Sequence, residues 1–281
     1  MEEIRLSEHV VLLRGTDAGA YPHGNPLRVT GGDTTVQIDS SLESGCADAD
    51  LVVLSHYHED HVVGLGETSA PVTVHRRDLP PVTSWDEFGR YMNVPDVAIG
   101  EELKRTFRWC ERPDATAFDD DTVIEVGGGV RILVVPLPGH TGGHCGFFVE
   151  PDGVFFTADV DLSSFGPVYA DLDSTLPDVR ASLARCAEID AAVYTTFHHK
   201  GPYTDRAAFL ADLAAHAAAL DARDQRVRAL LAEGPATARD LVGRGVVYRV
   251  GGRRPWYADA VEEVIVGQHL AEIGEATGAG S

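Results

Sequence analysis

The sequence predicts an α/β protein: two mixed β-sheets packed face to face with helices outside, an αββα sandwich, followed by a small helical domain. Three observations carry this. Short apolar runs come first as neighbouring strands, then alternate with helical stretches, then return as strands, the order expected of two packed sheets. Four of the strand-like runs each end at a histidine or aspartate able to bind metal. From about residue 205 the chain becomes Ala-, Leu- and Arg-rich with an amphipathic helical period. The expected boundaries are 1–204 for the sandwich and 205–281 for the tail.

Residues 4–14 and 27–38 cluster apolar side chains between Asn-Pro and Gly-Gly turn signals and read as an opening antiparallel pair, ending at Asp39. Residues 51–55 form a short buried strand, and 72–75 another. Residues 76–121 read as an insertion with helices near 84–92 and 100–111. Its Trp85, Phe88, Tyr91, Met92, Phe107 and Trp109 supply apolar faces, for a core or for a pocket wall. A hairpin is expected around Gly127-Gly128-Gly129, its second strand running into Pro138-Gly139-His140-Thr141. Strands 145–150 and 154–157 flank the turn Pro151-Asp152-Gly153, and the second ends at Asp159. A helix near 175–188 precedes the strand 191–196, which leads to His198 and His199. The tail should hold helices over 205–232 and 258–273, with Thr237 and Asp240 as a short capping box between them.

Composition narrows the partners. The chain has 281 residues, 44% hydrophobic, enough for a substantial core. With 23 Lys and Arg against 44 Asp and Glu the formal charge is -21, a surface that repels nucleic-acid backbones and anionic membranes. Lysine is confined to Lys104 and Lys200, a bias that fits a high-salt source or base composition alone. The pairs Arg76-Arg77 and Arg253-Arg254 read as surface charges rather than phosphate clamps. Cys46, Cys110, Cys145 and Cys186 are scattered without a C-x-x-C pair, which argues against a disulfide framework or a thiolate zinc site. No run reaches the roughly 20 apolar residues of a membrane span, and the acidic Met1-Glu2-Glu3 start lacks a signal-peptide core. Cytoplasmic residence is the expectation.

The run His56-Tyr57-His58-Glu59-Asp60-His61 concentrates the chemistry. His56, His58, Asp60 and His61 suit a borderline divalent ion such as zinc. Packing alone does not explain them, because unpartnered His and Asp are costly to bury.

These residues resemble the metallo-β-lactamase-fold superfamily of metallohydrolases. The pattern H-x-H-x-D-H matches His56, His58, Asp60 and His61. A strand ending in Asp matches Asp39, the segment P-x-H-T-x-G-H matches Pro138 to His144, F-T-x-D matches Phe156 to Asp159, and a final histidine matches His198 or His199. The matches lie in family order across 30–202. The resemblance implies two divalent metal ions, zinc before iron or manganese: one on His56, His58 and His140, the other on Asp60, His61 and His198, with Asp159 bridging. It implies a metal-bridging hydroxide as nucleophile, with Asp60 also orienting it or moving its proton. Asp39 is expected either to hold a ligand imidazole or to cap its strand, and His144 to stand outside the coordination sphere. His9, His23, His75, His216 and His269 read as surface or structural residues.

The activity that the resemblance implies is hydrolysis of a small-molecule ester, thioester or lactone, in the manner of the glyoxalase II-like and lactonase-like branch. Asp159 is generally lacking in class B β-lactamases, and His58 stands where the flavo-diiron branch has Glu. The alternatives are a phosphodiesterase or nuclease of the RNase Z-like branch, which the acidity disfavours, an iron-dependent sulfur dioxygenase, and a non-catalytic sensor. The tail resembles the winged-helix-like C-terminal segment of some members. The acidity of the chain suggests a structural, dimerising or lid role for it, so a homodimer is one assembly it allows. Specificity is expected from 76–121, from the loop 162–172 with Phe165 and Tyr169, and from the tail.

Overall fold

The computed structural model describes residues 1–46, 48–93, 97–252 and 254–278; Arg253 and part of the 76–121 insertion (94–96) lie outside the described residues. A seven-stranded sheet holds β1 (Glu2–Arg5), β2 (Val10–Arg14), β3 (Leu27–Gly31), β4 (Thr34–Ile38), β5 (Leu51–Leu54), β6 (Val72–His75) and β7 (Thr116–Phe118) in chain order. The first four strands run antiparallel and β4 to β7 parallel. The opening pair expected from sequence is therefore a four-stranded meander, because Ser7–His9 and Gly32–Asp33 break each run. A five-stranded sheet has the order β12-β11-β10-β9-β8, built from β8 (Val123–Gly127), β9 (Val130–Pro136), β10 (Cys145–Glu150), β11 (Val154–Phe156) and β12 (Val193–Thr195). Only β11 and β12 pair in parallel there. Both sheets are mixed, as expected.

Side-chain alternation on each strand builds the layers. Val53 of β5 faces the space between the sheets with Val29, Val36, Ile132, Phe147 and Phe156. Its neighbours Val52 and Leu54 face outward, onto α1 (Leu79–Thr83) and α2 (Trp85–Tyr91) through Val82 and Phe88, in a cluster that Trp109 joins. Likewise Val154 and Phe156 of β11 point inward, and Phe155 points outward with Tyr194. That outer face is covered by α4 (Leu176–Glu188) and by α5 (Arg206–Leu231) through Phe209 and Leu213. The insertion also carries α3 (Val97–Phe107), so α2 lies where a helix was expected, α3 begins and ends a few residues before its expected place, and α1 is an additional short helix.

The tail comprises α5, α6 (Ala238–Leu241) and α7 (Ala258–Gly278), with no strand among its described residues. Thr237 and Asp240 form the expected capping box. Val227, Leu230, Leu241 and Val266 give the tail an apolar cluster of its own. Among the described residues no helix is long and apolar enough to cross a membrane.

Candidate metal centre

One edge of the sandwich gathers the C-terminal ends of strands from both sheets. β5 delivers His56, and a turn closed by the His61 N–H on the His58 carbonyl (3.0 Å) folds the loop back on itself. The Ser55 carbonyl accepts from Cys145 N–H of β10 at 2.9 Å, tying this loop to the opposite sheet. β9 runs on to His140, β11 to Asp159 and β12 to His198. Gly139, beside His140, has φ +122, and a Cβ there would meet Val179 N of α4 at 2.4 Å, so only glycine lets this loop lie on the helix.

Two groups result: His56, His58, His140 and Asp159, and Asp60, His61 and His198, each with one donor atom per residue within 4.8 Å of the others. Asp159 spans them. Its Oδ2 lies 3.3 Å from His140 Nε2 and 3.9 Å from His56 Nε2, and its Oδ1 lies 3.0 Å from His61 Nε2 and 3.7 Å from His198 Nε2. Asp60 Oδ2 is 3.1 Å from His198 Nε2. Four buried atoms here, His56 Nε2, His61 Nε2, Asp60 Oδ2 and Asp159 Oδ1, make no hydrogen bond. Orphaned buried acceptors are expensive unless a cation completes them.

Each imidazole is held by its other nitrogen. His56 Nδ1 meets Ser55 Oγ at 3.0 Å, His61 Nδ1 meets Asp39 Oδ2 at 3.0 Å, His140 Nδ1 meets the Val168 carbonyl at 2.8 Å and His198 Nδ1 the Gly19 carbonyl at 2.7 Å. His58 is reversed: Nε2 meets Asp171 Oδ2 at 2.6 Å and Nδ1 faces His140 Nε2 at 3.0 Å. An N–H donated outward fixes the tautomer and turns a lone pair to the centre. Asp39 Oδ1 also accepts from Ser55 N–H at 2.7 Å, so one carboxylate holds both the His61 ring and the end of β5. Phe197 stacks on His61, ring centroids 3.6 Å apart.

His144 has a different task. Nδ1 donates to the Leu137 carbonyl at 2.8 Å, and Nε2 accepts from the Asp159 backbone N–H at 3.1 Å. Burial, helped by the neighbouring His140, pushes its pKa down to about 3, which keeps the ring neutral and able to accept. Burial and the surrounding histidines also hold His56 well below the usual imidazole range. Burial raises the Asp159 carboxyl, but His61 and His198 outweigh it and hold that group well below its usual range.

Between the candidates for the last position, the structure brings in His198; His199 is exposed, at φ 57, and lines the cavity above. Of the other histidines, His75, His216 and His269 are buried and bonded, to Asp120, the Ser163 carbonyl, and Asp224 with Tyr169 respectively. Tyr169 is thus fully buried away from the pocket that its loop was expected to shape, while Phe165 of the same loop lines it. Sequence reasoning missed Asp171 and the Tyr21–Glu59 hydrogen bond (3.0 Å) at the rim. Neither has a local signal: Asp171 reaches His58 across 113 residues.

A cavity of about 820 Å³ opens over the centre, with His58, Asp60, His140, Asp159 and His198 on its floor. Met92, Ile99 and Leu103 wall it from the insertion, and Tyr248, Trp256 and Tyr257 from the tail.

The family profile of the metallo-beta-lactamase superfamily matches residues 30–199. No curated protein matches the chain. Among solved structures the chain is similar to a metallo-beta-lactamase family protein from Thermus thermophilus, at 22% identity and TM-score 0.69 over 96% of this chain and 95% of that one. A beta-lactamase domain protein from Burkholderia ambifaria gives 18% and 0.68 over 98% and 88%. The class B3 di-zinc metallo-beta-lactamase LRA-12 from an Alaskan soil metagenome gives 13% and 0.57 over 78% and 92%.

Proposed function

Because the chain belongs to the metallo-beta-lactamase superfamily, a fold of metal-dependent hydrolases, we propose that it is a dinuclear hydrolase of a small ester, thioester or lactone. His56, His58 and His140 would hold one ion, Asp60, His61 and His198 the other, and Asp159 would join them. The observation that carries this reading is the set of orphaned buried atoms, His56 Nε2, His61 Nε2, Asp60 Oδ2 and Asp159 Oδ1, gathered at one space, with each of the five imidazoles anchored from outside it through its other ring nitrogen. Three imidazoles on one side and a mixed carboxylate and imidazole set on the other suit zinc, as in the di-zinc enzyme above, with iron and manganese sharing the donor types.

The chemistry that two such ions supply when bound is Lewis acidity toward a carbonyl oxygen and activation of water near neutral pH. Asp60, on the cavity floor beside His198, would orient the attacking water and take its proton. His144 would keep the Asp159 carboxylate in place through that residue's backbone. A phosphodiester substrate is disfavoured: among the described lining residues Lys200 is the only lysine or arginine, and its Nζ is 3.0 Å from Asp212.

The test is elemental analysis of the purified chain beside His58→Ala and Asp159→Ala, with a screen of esters, thioesters, lactones and phosphodiesters. About two zinc per chain, reduced in both variants, with turnover of a carboxylic substrate, is the expected result. About one iron with oxygen uptake would replace it with sulfur dioxygenation, and phosphodiester cleavage with salt-sensitive RNA binding would replace it with a nuclease.

A further inference from the structure

The walls of the cavity differ from its floor. Phe165 and Tyr248 meet at 5.3 Å between ring centroids, and Trp256 and Tyr257 likewise at 5.3 Å, so two aromatic pairs stand along the tail side. Ile99 and Leu103 of α3 stand on the insertion side. Trp256 is 58% exposed, Tyr21 45% and Phe165 38%, and all three line this cavity. Large apolar surface gathered at one opening marks a binding site rather than chance exposure.

Carboxylates outnumber cations on the same walls, where Lys200 is the single lysine or arginine among the described lining residues. Glu59 and Asp161 line the cavity, and the buried Glu59 Oε2 has no hydrogen-bond partner. Lys200 is already paired with Asp212. Arg254, the described arginine next to Trp256 in the tail, is bonded to Asp259 and Glu262. A substrate with a phosphate or carboxylate remote from its reacting carbonyl would meet carboxylates and aromatic rings, with no free cation among the described lining residues.

Resting on the hydrolase reading above, we propose that the substrate is a neutral ester or lactone bearing an apolar chain or ring, and that Trp256 and Tyr257 of the tail select it. The reaction adds water across the acyl C–O bond. The acyl C–O bond breaks, the water oxygen joins the acyl carbon as carboxylate, one proton leaves with the alcohol and the other goes to solvent, and nothing is oxidised or reduced. Thioesters of large anionic carriers fall outside this class.

The experiment uses the zinc-loaded full chain and three esters of one leaving group: 4-nitrophenyl acetate, 4-nitrophenyl octanoate and mono-4-nitrophenyl suberate, which has the octanoate length but ends in a carboxylate. We expect kcat/KM for octanoate to exceed that for acetate and for suberate by about 10-fold or more. In Trp256→Ala and Tyr257→Ala the octanoate-to-acetate ratio should fall by about 5- to 10-fold. Calorimetric titration with decan-2-one, a neutral ester isostere that is not hydrolysed, gives a second readout, and both variants should bind it more weakly. Equal rates on all three esters, with the ratio unmoved by either variant, would overturn the inference and leave the hydrolase reading standing. Loss of all ester turnover would count against the hydrolase reading instead. Decan-2-one binding would then decide the apolar pocket: binding weakened in Trp256→Ala upholds it, and no binding to the parent chain removes it.

Discussion

Asp171 lies 2.6 Å from His58 Nε2 through an oxygen that also accepts the Tyr57 hydroxyl. With the Nε2 proton donated to a carboxylate, His58 presents a more basic Nδ1 to the centre, and its ring cannot turn. Asp171→Asn keeps the shape and removes the charge. We expect metal affinity to fall by about 10- to 100-fold, read by chelator competition, while the thermal midpoint of the metal-free protein moves little. Unchanged affinity would mean that the Asp171 contact is packing only. Asp171 also shows where sequence reading stops. His56, His58, Asp60 and His61 announce themselves because four donors in six residues are improbable as packing, and His140, Asp159 and His198 because each follows a strand in family order. Asp171 sits in a loop whose path depends on Ser174, His140 and α7, so nothing near it in sequence marks it. The expectation that His140 rather than His144 binds metal came from the family pattern; the His144 ring contacts to the Leu137 carbonyl and the Asp159 N–H are visible only in space.

The segment after the histidine loop is fixed by an element far along the chain. Arg112, between α3 and β7, is buried and donates to the Leu65 carbonyl at 2.7 Å and the Ala70 carbonyl at 3.0 Å, while its Nε and Nη2 meet Asp114. Arg112→Met keeps the apolar stem but leaves both carbonyls unpaired, at a cost of about 2–4 kcal/mol, measurable as a lower urea midpoint with an unchanged slope. Hydrogen bonding to Arg112 holds the Asp114 carboxyl down to about 2. A depressed folded value means that this stabilisation is present above the unfolded value of about 3.9 and is lost as pH falls through about 2. The gap in urea midpoint between the parent and Asp114→Asn should therefore close between about pH 4 and pH 2; a gap constant with pH would refute the ion pair. At this scale the strands with strong local pattern were legible: β5, β6 and β10 begin and end within a residue or so of expectation, as does α4, which Thr175 caps. β7 was not. Thr116–Phe118 is three residues long, too short for a period, and becomes a strand only because β6 offers its edge.

For the whole molecule two features interact: the tail and the charge. The tail was legible as helix from its Ala-rich composition, and a lid was one role expected of it, but the packing that seats it was not legible. Phe209 of α5 stacks on Tyr194 of β12 at 4.1 Å, and Leu213 and Leu220 extend that contact, so α5 completes the outer layer of the smaller sheet, while the cavity wall comes from Tyr248, Trp256 and Tyr257 further along the tail. The chain folds and docks its tail under a large net negative charge. The chain carries 44 acidic against 23 basic residues, a formal charge of -21. Both lysines are already paired, Lys104 with Glu101 and Lys200 with Asp212. Exposed pairs of this kind contribute at most about 1 kcal/mol each, whereas the uncompensated carboxylates repel over a Debye length of roughly 30 Å at 0.01 M salt and 3 Å at 1 M. Screening should therefore stabilise the fold, against the usual expectation that salt weakens a surface rich in ion pairs. Raising KCl from about 0.01 to 1 M should lift the thermal midpoint by on the order of 5 °C, because a gain of 1 kcal/mol moves a domain of this size by roughly 2–4 °C. Chloride rather than sulfate keeps exclusion effects small. A midpoint that stays level or falls over that range would show that the arginine-carboxylate pairs, such as Arg180 with Asp224 and Glu272 between α4 and the tail, outweigh the net repulsion.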